Sequence, residues 1–323
     1  MRRQILGQSV MEVSRLGFGC VKLTTYRERR EAVHILEQAF VLGITHFDVA
    51  RAYGFGRAEF ILGEFLRGKR DRVTVATKFG LLPPSGLPGN RWVIDLAKKL
   101  LSPFPKLLRR AKERGASMGQ TGAFSPEAAI RSLEASLRAL GTDYVDMFLL
   151  HEATLSDAAS EPLMETLQQQ ITKGKVRCIG IASDFRKLGG DAGLLSEAYQ
   201  VVQFDDNAQT RNLKTLAHRD KRGLITHSIF RPAKSLREAI AAHPEIAEQF
   251  SLRIDAELRN PEVIGSLLLH YALRSNSEGA VLFSSSDPKR LAANVRNFES
   301  RGYSDAQLST FVEFVDEILK ARS

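Results

Sequence analysis

The chain has 323 residues, 43% of them hydrophobic, and 46 lysines and arginines against 37 aspartates and glutamates give it a net charge of +9. That length and apolar content can fill one α/β barrel or two ordinary domains, and the excess positive charge suits phosphates, acidic surfaces or anionic ligands. Two cysteines, Cys20 and Cys178, are too few for a disulfide framework. The N-terminal Met1-Arg2-Arg3-Gln4-Ile5-Leu6-Gly7 lacks the apolar core of a signal peptide, and no run approaches the roughly eighteen apolar residues of a membrane span, so a soluble cytoplasmic protein is expected.

In chain order, short apolar runs read as strands and amphipathic stretches as helices. A strand at 16–20 is followed by a helix at 29–42, and a strand at 45–48 by a helix at 58–66. A strand at 73–77 leads into a basic stretch, 80–124, which holds eight lysines and arginines against two acidic residues. Next come a helix at 125–140, a strand at 145–150, a helix at 163–173 and strands at 178–182 and 201–204. A helix at 213–221, strands at 224–228 and 280–283 and a helix at 287–298 follow, with a last helix ending near 321. Ser125-Pro126 supplies an N-cap and a first-turn proline, Gly43 and Gly141 stand just past helix ends, and Ser304 with Gln307 can form a capping box. Eight strands alternating with helices argue parallel pairing through helical crossovers. The fold expected is one (β/α)8 TIM barrel domain over 1–323, with its active site at the C-terminal ends of the strands.

Four residues fall at those ends or in the loops after them: Asp48, Tyr53, Lys78 and His151. Reducing a carbonyl builds negative charge on its oxygen, so the site needs a proton donor and hydrogen-bond donors in place. Tyr53 suits the acid. A neighbouring ammonium stabilises a phenolate, so Lys78 should lower the Tyr53 pKa toward the working range, with Asp48 keeping Lys78 charged and in place. His151 can donate from Nε2 to the substrate oxygen. Taken singly, each has a plain structural reading, as a loop tyrosine, a capping aspartate or a satisfied histidine. The lysine ending an apolar strand is harder to explain without a partner.

The segments 43–54, 73–80 and 144–151, which carry these four residues, together resemble the aldo-keto reductase superfamily over nearly the whole chain, and the resemblance implies this tetrad in these roles. It also implies an N-terminal hairpin at 2–13 around Gly7-Gln8. No Gly-x-Gly-x-x-Gly joins a strand to a helix. Instead, the stretch Ala280 to Asn294 resembles the family's last strand, loop and helix, which bind the adenosine end of a nicotinamide cofactor. The resemblance puts Arg290 on the 2′-phosphate and Asn294 on adenine, with Ser284 and Ser285 nearby. A helix start at Asp287 adds a favourable dipole, so NADPH (NADP+) is expected ahead of NADH. Gly180-Ile181-Ala182-Ser183-Asp184-Phe185 resembles the motif that holds the nicotinamide carboxamide, with Asp184 replacing the family's Asn, and Gln203 matches a further carboxamide ligand. His227 and Ser228 occupy the stretch where the family stacks an aromatic on the nicotinamide. Gly19-Cys20-Val21 stands where members often have Gly-Thr and an aromatic, which implies a roomier or less aromatic pocket beside the cofactor.

Within the basic stretch, 91–115 interleaves Trp92, Leu96, Leu100, Phe104 and Leu107 with basic residues around Pro103 and Pro105. This suits amphipathic helices that act as a lid over the active site, with a solvated basic packing face as the equal alternative and a membrane surface as a third reading. Nucleic acid is not expected, because no recognition motif accompanies the charge. No metal is expected either, since the strand ends do not offer histidines and carboxylates in ligand spacing. The activity expected is NADPH-dependent reduction of a small-molecule aldehyde or ketone to an alcohol, reversibly. The alternative is a nicotinamide-binding regulatory or partner-binding subunit with little turnover. Oligomeric state is not legible in the sequence.

Overall fold

The computed structural model describes residues 1–81, 124–218, 221–300 and 302–321. The expected lid segment lies outside the described residues except at its edges. Those edges meet. Phe79 and Phe124 pack with ring centroids 5.9 Å apart, and a Cβ on Gly80 would fall 2.1 Å from the Phe124 ring. The described residues on either side of 82–123 therefore stand together, at the C-terminal end of a strand.

The first two strands, β1 (Arg3–Ile5) and β2 (Glu12–Ser14), pair antiparallel as the expected hairpin. Then β3 (Leu16–Gly19), β4 (His46–Asp48), β5 (Thr74–Phe79), β6 (Val145–His151), β7 (Val176–Ala182), β8 (Val201–Asp205), β9 (Gly223–His227) and β10 (Ala280–Phe283) pair in parallel with sequence neighbours, and β10 closes on β3. All eight expected strands are present. They read as near-continuous apolar runs because parallel barrel strands are covered on both faces. In β5 the alternation is explicit: Val75, Thr77 and Phe79 face the helices, while Ala76 and Lys78 face the barrel interior.

Helices α1 (Arg29–Val41), α2 (Arg57–Leu66), α3 (Pro126–Leu140), α4 (Leu155–Ala158) and α5 (Glu161–Thr172) cover the first strands. The signals at α3 act as expected, since the Ser125 hydroxyl accepts from Ala128 N at 3.2 Å and Gly141 is left-handed with φ 64°. The helix expected at 213–221 is only one turn, α6 (Asn212–Thr215). The cause is lateral pairing: Ala217 N donates to Gly190 O at 2.9 Å, its carbonyl accepts from Ala192 N at 3.1 Å, and His218 is left-handed with φ 49°. Between β7 and β8 the crossover is built from short turns at Phe185–Leu188 and Ala192–Leu194. The ring of helices is thus thinned on that side.

Between β9 and β10 stand α7 (Ala233–Ala242), α8 (Pro244–Ile254) and α9 (Pro261–Ser275). After β10 come α10 (Pro288–Glu299) and α11 (Asp305–Ala321), the latter opened by the Ser304 and Gln307 capping box. With α11, the three helices after β9 enclose a second apolar cluster around Phe250, Phe311 and Phe314, separate from the core between the barrel and its inner helices. At the bottom of the barrel, Leu6, Met11 and Val13 of the hairpin join the interior layer of Met147, Leu149 and Ile225. Gly7, with φ 52°, lies so close to Arg222 and Gly223 that a Cβ would sit 2.4 Å from backbone. Among the described residues, no helix is long and apolar enough to cross a membrane.

Candidate active site

β4 and β5 lie side by side with Asp48 opposite Ala76, so the inward-facing Asp48 and Lys78 occupy one end of the barrel. Lys78 Nζ donates to both Asp48 carboxylate oxygens at 2.6 Å and to Val49 O at 3.0 Å. Lys78 is 1% exposed and Asp48 2%, so each charge depends on the other. Burial alone would lower the Lys78 pKa, but the adjacent Asp48 holds it above the ordinary value.

After β4 the chain turns, and Tyr53 hangs over the pair with its ring centroid 5.5 Å from Lys78 Nζ. His151, the last residue of β6, meets the Tyr53 ring edge to face at 6.0 Å. All four tetrad residues thus converge. The expected lowering of the Tyr53 pKa is not met: burial raises it above 10.0, and Lys78 opposes that rise without overcoming it. Burial, then Lys78 and His227, push His151 down to about 3, so the imidazole is neutral. Its Nδ1 is buried without a partner among the described residues.

Asp48, Tyr53, Lys78 and His151 line a cavity of about 400 Å³ together with Gly19, Gln203, His227, Ser228 and Ser284. Gln203, near the end of β8, is buried with Oε1 unpartnered among the described residues. His227 Nδ1 and Ser228 Oγ are paired at 2.9 Å, and Ser228 is left-handed with φ 65°. Glu152, Phe230 and Arg231 line the same cavity and are absent from the set chosen by sequence. Glu152 carries a signal only in its backbone, φ 59°, which a single sequence does not display. Arg231 is held by Asp205 at 2.9 Å and Ser228 at 3.0 Å.

The other expected cofactor residues, Cys20, Ser183, Asp184, Ser285, Arg290 and Asn294, are not among those that line this cavity. Cys20 is buried in the outer core, its thiol raised well above the ordinary range by burial, so of the Gly19-Cys20 pair only Gly19 faces the cavity. A Cβ on Gly19 would fall 2.6 Å from Ser284 Oγ, which donates to Gly19 O at 2.7 Å. The Ser183 hydroxyl donates to Ala153 O at 2.8 Å. Burial would raise the Asp184 pKa, but the Arg186 backbone and guanidinium hold it low and turn the carboxylate toward themselves. Ser285 Oγ donates to Asp287 O at 2.8 Å and accepts from Asp287 N at 3.1 Å. Arg290 and Asn294 follow on α10, with the Arg290 side chain 80% exposed and 3.7 Å from Asp287.

A closed parallel barrel with a buried ion pair, a tyrosine and a histidine gathered at the C-terminal mouth of its strands defines an enzyme-like (β/α)8 barrel. The chain belongs to the Aldo/keto reductase family, whose model matches residues 15–231. It is 30% identical over 183 residues to "Uncharacterized oxidoreductase YqkF" of Bacillus subtilis, covering 57% of this chain and 49% of that protein. It is 31% identical over 183 residues to "6-dehydroglucose reductase" of Agrobacterium fabrum, covering 54% and 52%. The chain thus spans about half the length of the curated relatives it matches. Among solved structures, the holo form of aldo-keto reductase AKR11C1 from Bacillus halodurans is similar in fold, with a TM-score of 0.69 and 20% identity over 98% of this chain and 96% of that one.

Proposed function

We propose that the protein is an NADPH-dependent oxidoreductase that reduces an aldehyde or ketone to an alcohol, reversibly, with Tyr53 as general acid and base. The observation that carries this reading is the buried Asp48–Lys78 pair set beneath Tyr53 and His151 on the wall of one cavity. The names of relatives such as "6-dehydroglucose reductase" and "Pyridoxal 4-dehydrogenase" fit carbonyl and alcohol chemistry.

The wall suits a nicotinamide. On the wall, Gln203 Oε1, buried and without a partner among the described residues, can accept from a carboxamide N–H, while Ser183, off the wall, keeps lone pairs that could accept if the cofactor reached it. Asp184, bound to Arg186, offers the carboxamide no donor. Arg290 at the start of α10 is exposed and its contact with Asp287 is long, at 3.7 Å, so its guanidinium can turn to a 2′-phosphate, which favours NADPH over NADH. When bound, the cofactor supplies the hydride from nicotinamide C4.

The chain's own residues do the rest. Neutral His151 donates Nε2–H to the carbonyl oxygen and fixes its direction. Tyr53 gives its phenolic proton to that oxygen, and the buried ammonium of Lys78 stabilises the phenolate left behind. Because burial keeps the free phenol protonated, the acid is ready at neutral pH for reduction, while oxidation of an alcohol needs a higher pH to supply phenolate.

The test is a titration of the protein with NADPH and NADH, followed by nicotinamide emission, with Arg290→Ala alongside. NADPH is expected to weaken about tenfold or more in the variant while NADH changes little. Equal weakening of both would remove Arg290 from the 2′-phosphate, and binding of neither nucleotide by the unaltered protein would overturn the oxidoreductase reading.

A further inference from the structure

Glu59 lies in the first turn of α2, where a carboxylate ordinarily reaches water, yet it has no exposed surface. Its two oxygens are divided between two elements. Oε2 accepts from Arg51 Nη1 at 2.8 Å, and Oε1 accepts from Thr77 Oγ1 at 2.8 Å. Arg51 stands two residues before Tyr53 in the turn after β4, and Thr77 is the residue before Lys78 on β5, on the outward face. One buried carboxylate therefore ties the loop that carries the tyrosine to the strand that carries the lysine.

The loop is shaped around this tie. Gly56 is left-handed with φ 86°, and a Cβ there would fall 2.2 Å from Arg51 Nη1, so the guanidinium runs through the space that a side chain would fill. Tyr53 is also fixed at its backbone, since its N–H donates to Ala50 O at 3.0 Å and its carbonyl accepts from Ala58 N at 3.3 Å. Arg57, next to the same glycine, donates to Tyr26 O at 3.0 Å. Backbone bonds set the turn and hold its first residue, Val49, to Ala76 O of β5 at 2.8 Å, while the side-chain tie joins the turn to β5 again further along, at Arg51.

We propose that Arg51, Glu59 and Thr77 are positioning residues that hold the Tyr53 phenol in register with the Lys78 ammonium, without touching substrate or cofactor. The proposal rests on Tyr53 being the proton donor of the reaction. A phenolate is stabilised by an ammonium in proportion to their closeness, and small displacements of a catalytic group cost rate out of proportion to their size. Loosening the tie should therefore act on the ionisation of Tyr53 and on turnover, and leave binding alone.

The experiment labels all six tyrosines with 3-fluorotyrosine, assigns the Tyr53 fluorine resonance by its loss in Tyr53→Phe, and follows it through a pH titration. Arg51→Met and Glu59→Gln are expected to shift and broaden that resonance and to move its ionisation midpoint by about half a pH unit or more. Arg51→Lys, which keeps the charge, is expected to restore it. Turnover of a nitrobenzaldehyde should fall about tenfold or more in the first two variants, with the Michaelis constant and the NADPH dissociation constant within about twofold. If either variant fails to fold, Gly56→Ala crowds the guanidinium without removing a charge and carries the same test. A Tyr53 resonance and midpoint identical to the unaltered protein in these variants would overturn the positioning role. Should the unaltered protein reduce no carbonyl at all, the activity reading falls by itself, because the fluorine titration needs no substrate.

Discussion

Lys78 and Asp48 neutralise each other in a place water does not reach, so removing one strands the other. Lys78→Met is expected to cost about 3–5 kcal/mol, read from urea unfolding, and the double variant with Asp48→Asn should cost less than the single one. Tyr53→Phe removes only a hydroxyl. Turnover should fall about 10²-fold or more while NADPH affinity changes little, and retained turnover would refute the acid role. Burial also makes stability depend on pH. His46 is pushed down to about 4 and His151 to about 3, both from 6.5. The unfolded chain then binds protons that the native state refuses, so this stability is complete above pH 6.5 and is lost as pH falls toward 4, at up to about 1.4 kcal/mol per pH unit for each histidine. Asp206 works the other way. Burial raises it from 3.8 to about 6, so its contribution is complete below 3.8 and is lost as pH rises through 6. Burial lowers His227 and His270 as well, so with four histidines against one aspartate urea midpoints should rise from pH 4 to 6.5, and His46→Asn should flatten the rise.

At the scale of elements, what could be read in the sequence was whatever short-range chemistry decides. Ser125, Pro126, Gly141, Ser304 and Gln307 act through neighbours within a few residues, and their helices begin and end where they direct. Ser125→Ala should remove about 1 kcal/mol, seen as a lower Tm. The stretch 213–221 has helical periodicity but ends after one turn, because Ala217 is claimed by Gly190 and Ala192 from another loop. That partner is invisible to any local window. That Asp48, Tyr53, Lys78 and His151 come together was legible because each ends a strand or sits just after one, where barrel geometry forces convergence. Glu152 and Arg231 were not, since a left-handed backbone and a hold on Asp205 place them. The Tyr53 pKa was misjudged for a related reason. Its charged neighbour can be read from the motif, but the depth of its burial is a property of the assembled loops.

For the whole molecule, Arg15 ties the start of the barrel to its end. Its guanidinium donates to the carbonyls of Leu273 at 2.8 Å, Asn276 at 2.8 Å and Gly279 at 3.0 Å, and to Gln4 Oε1 at 3.2 Å. No sequence pattern announces this, because the carbonyl partners stand more than 250 positions away. Arg15→Met should lower stability by about 3 kcal/mol, measured as a shifted urea midpoint, since it leaves several carbonyls at the end of α9 without a donor. The hairpin has a further effect. Among the described residues, Leu6, Met11 and Val13 seal one end of the barrel, so the cavity opens at the other. Whatever settles deepest enters first and departs last, so the two occupants of the site should queue: a nicotinamide on the floor would have to wait for the alcohol above it to go. Product inhibition by the alcohol should then be noncompetitive toward the cofactor, a kinetic order imposed by a turn of chain far from the chemistry.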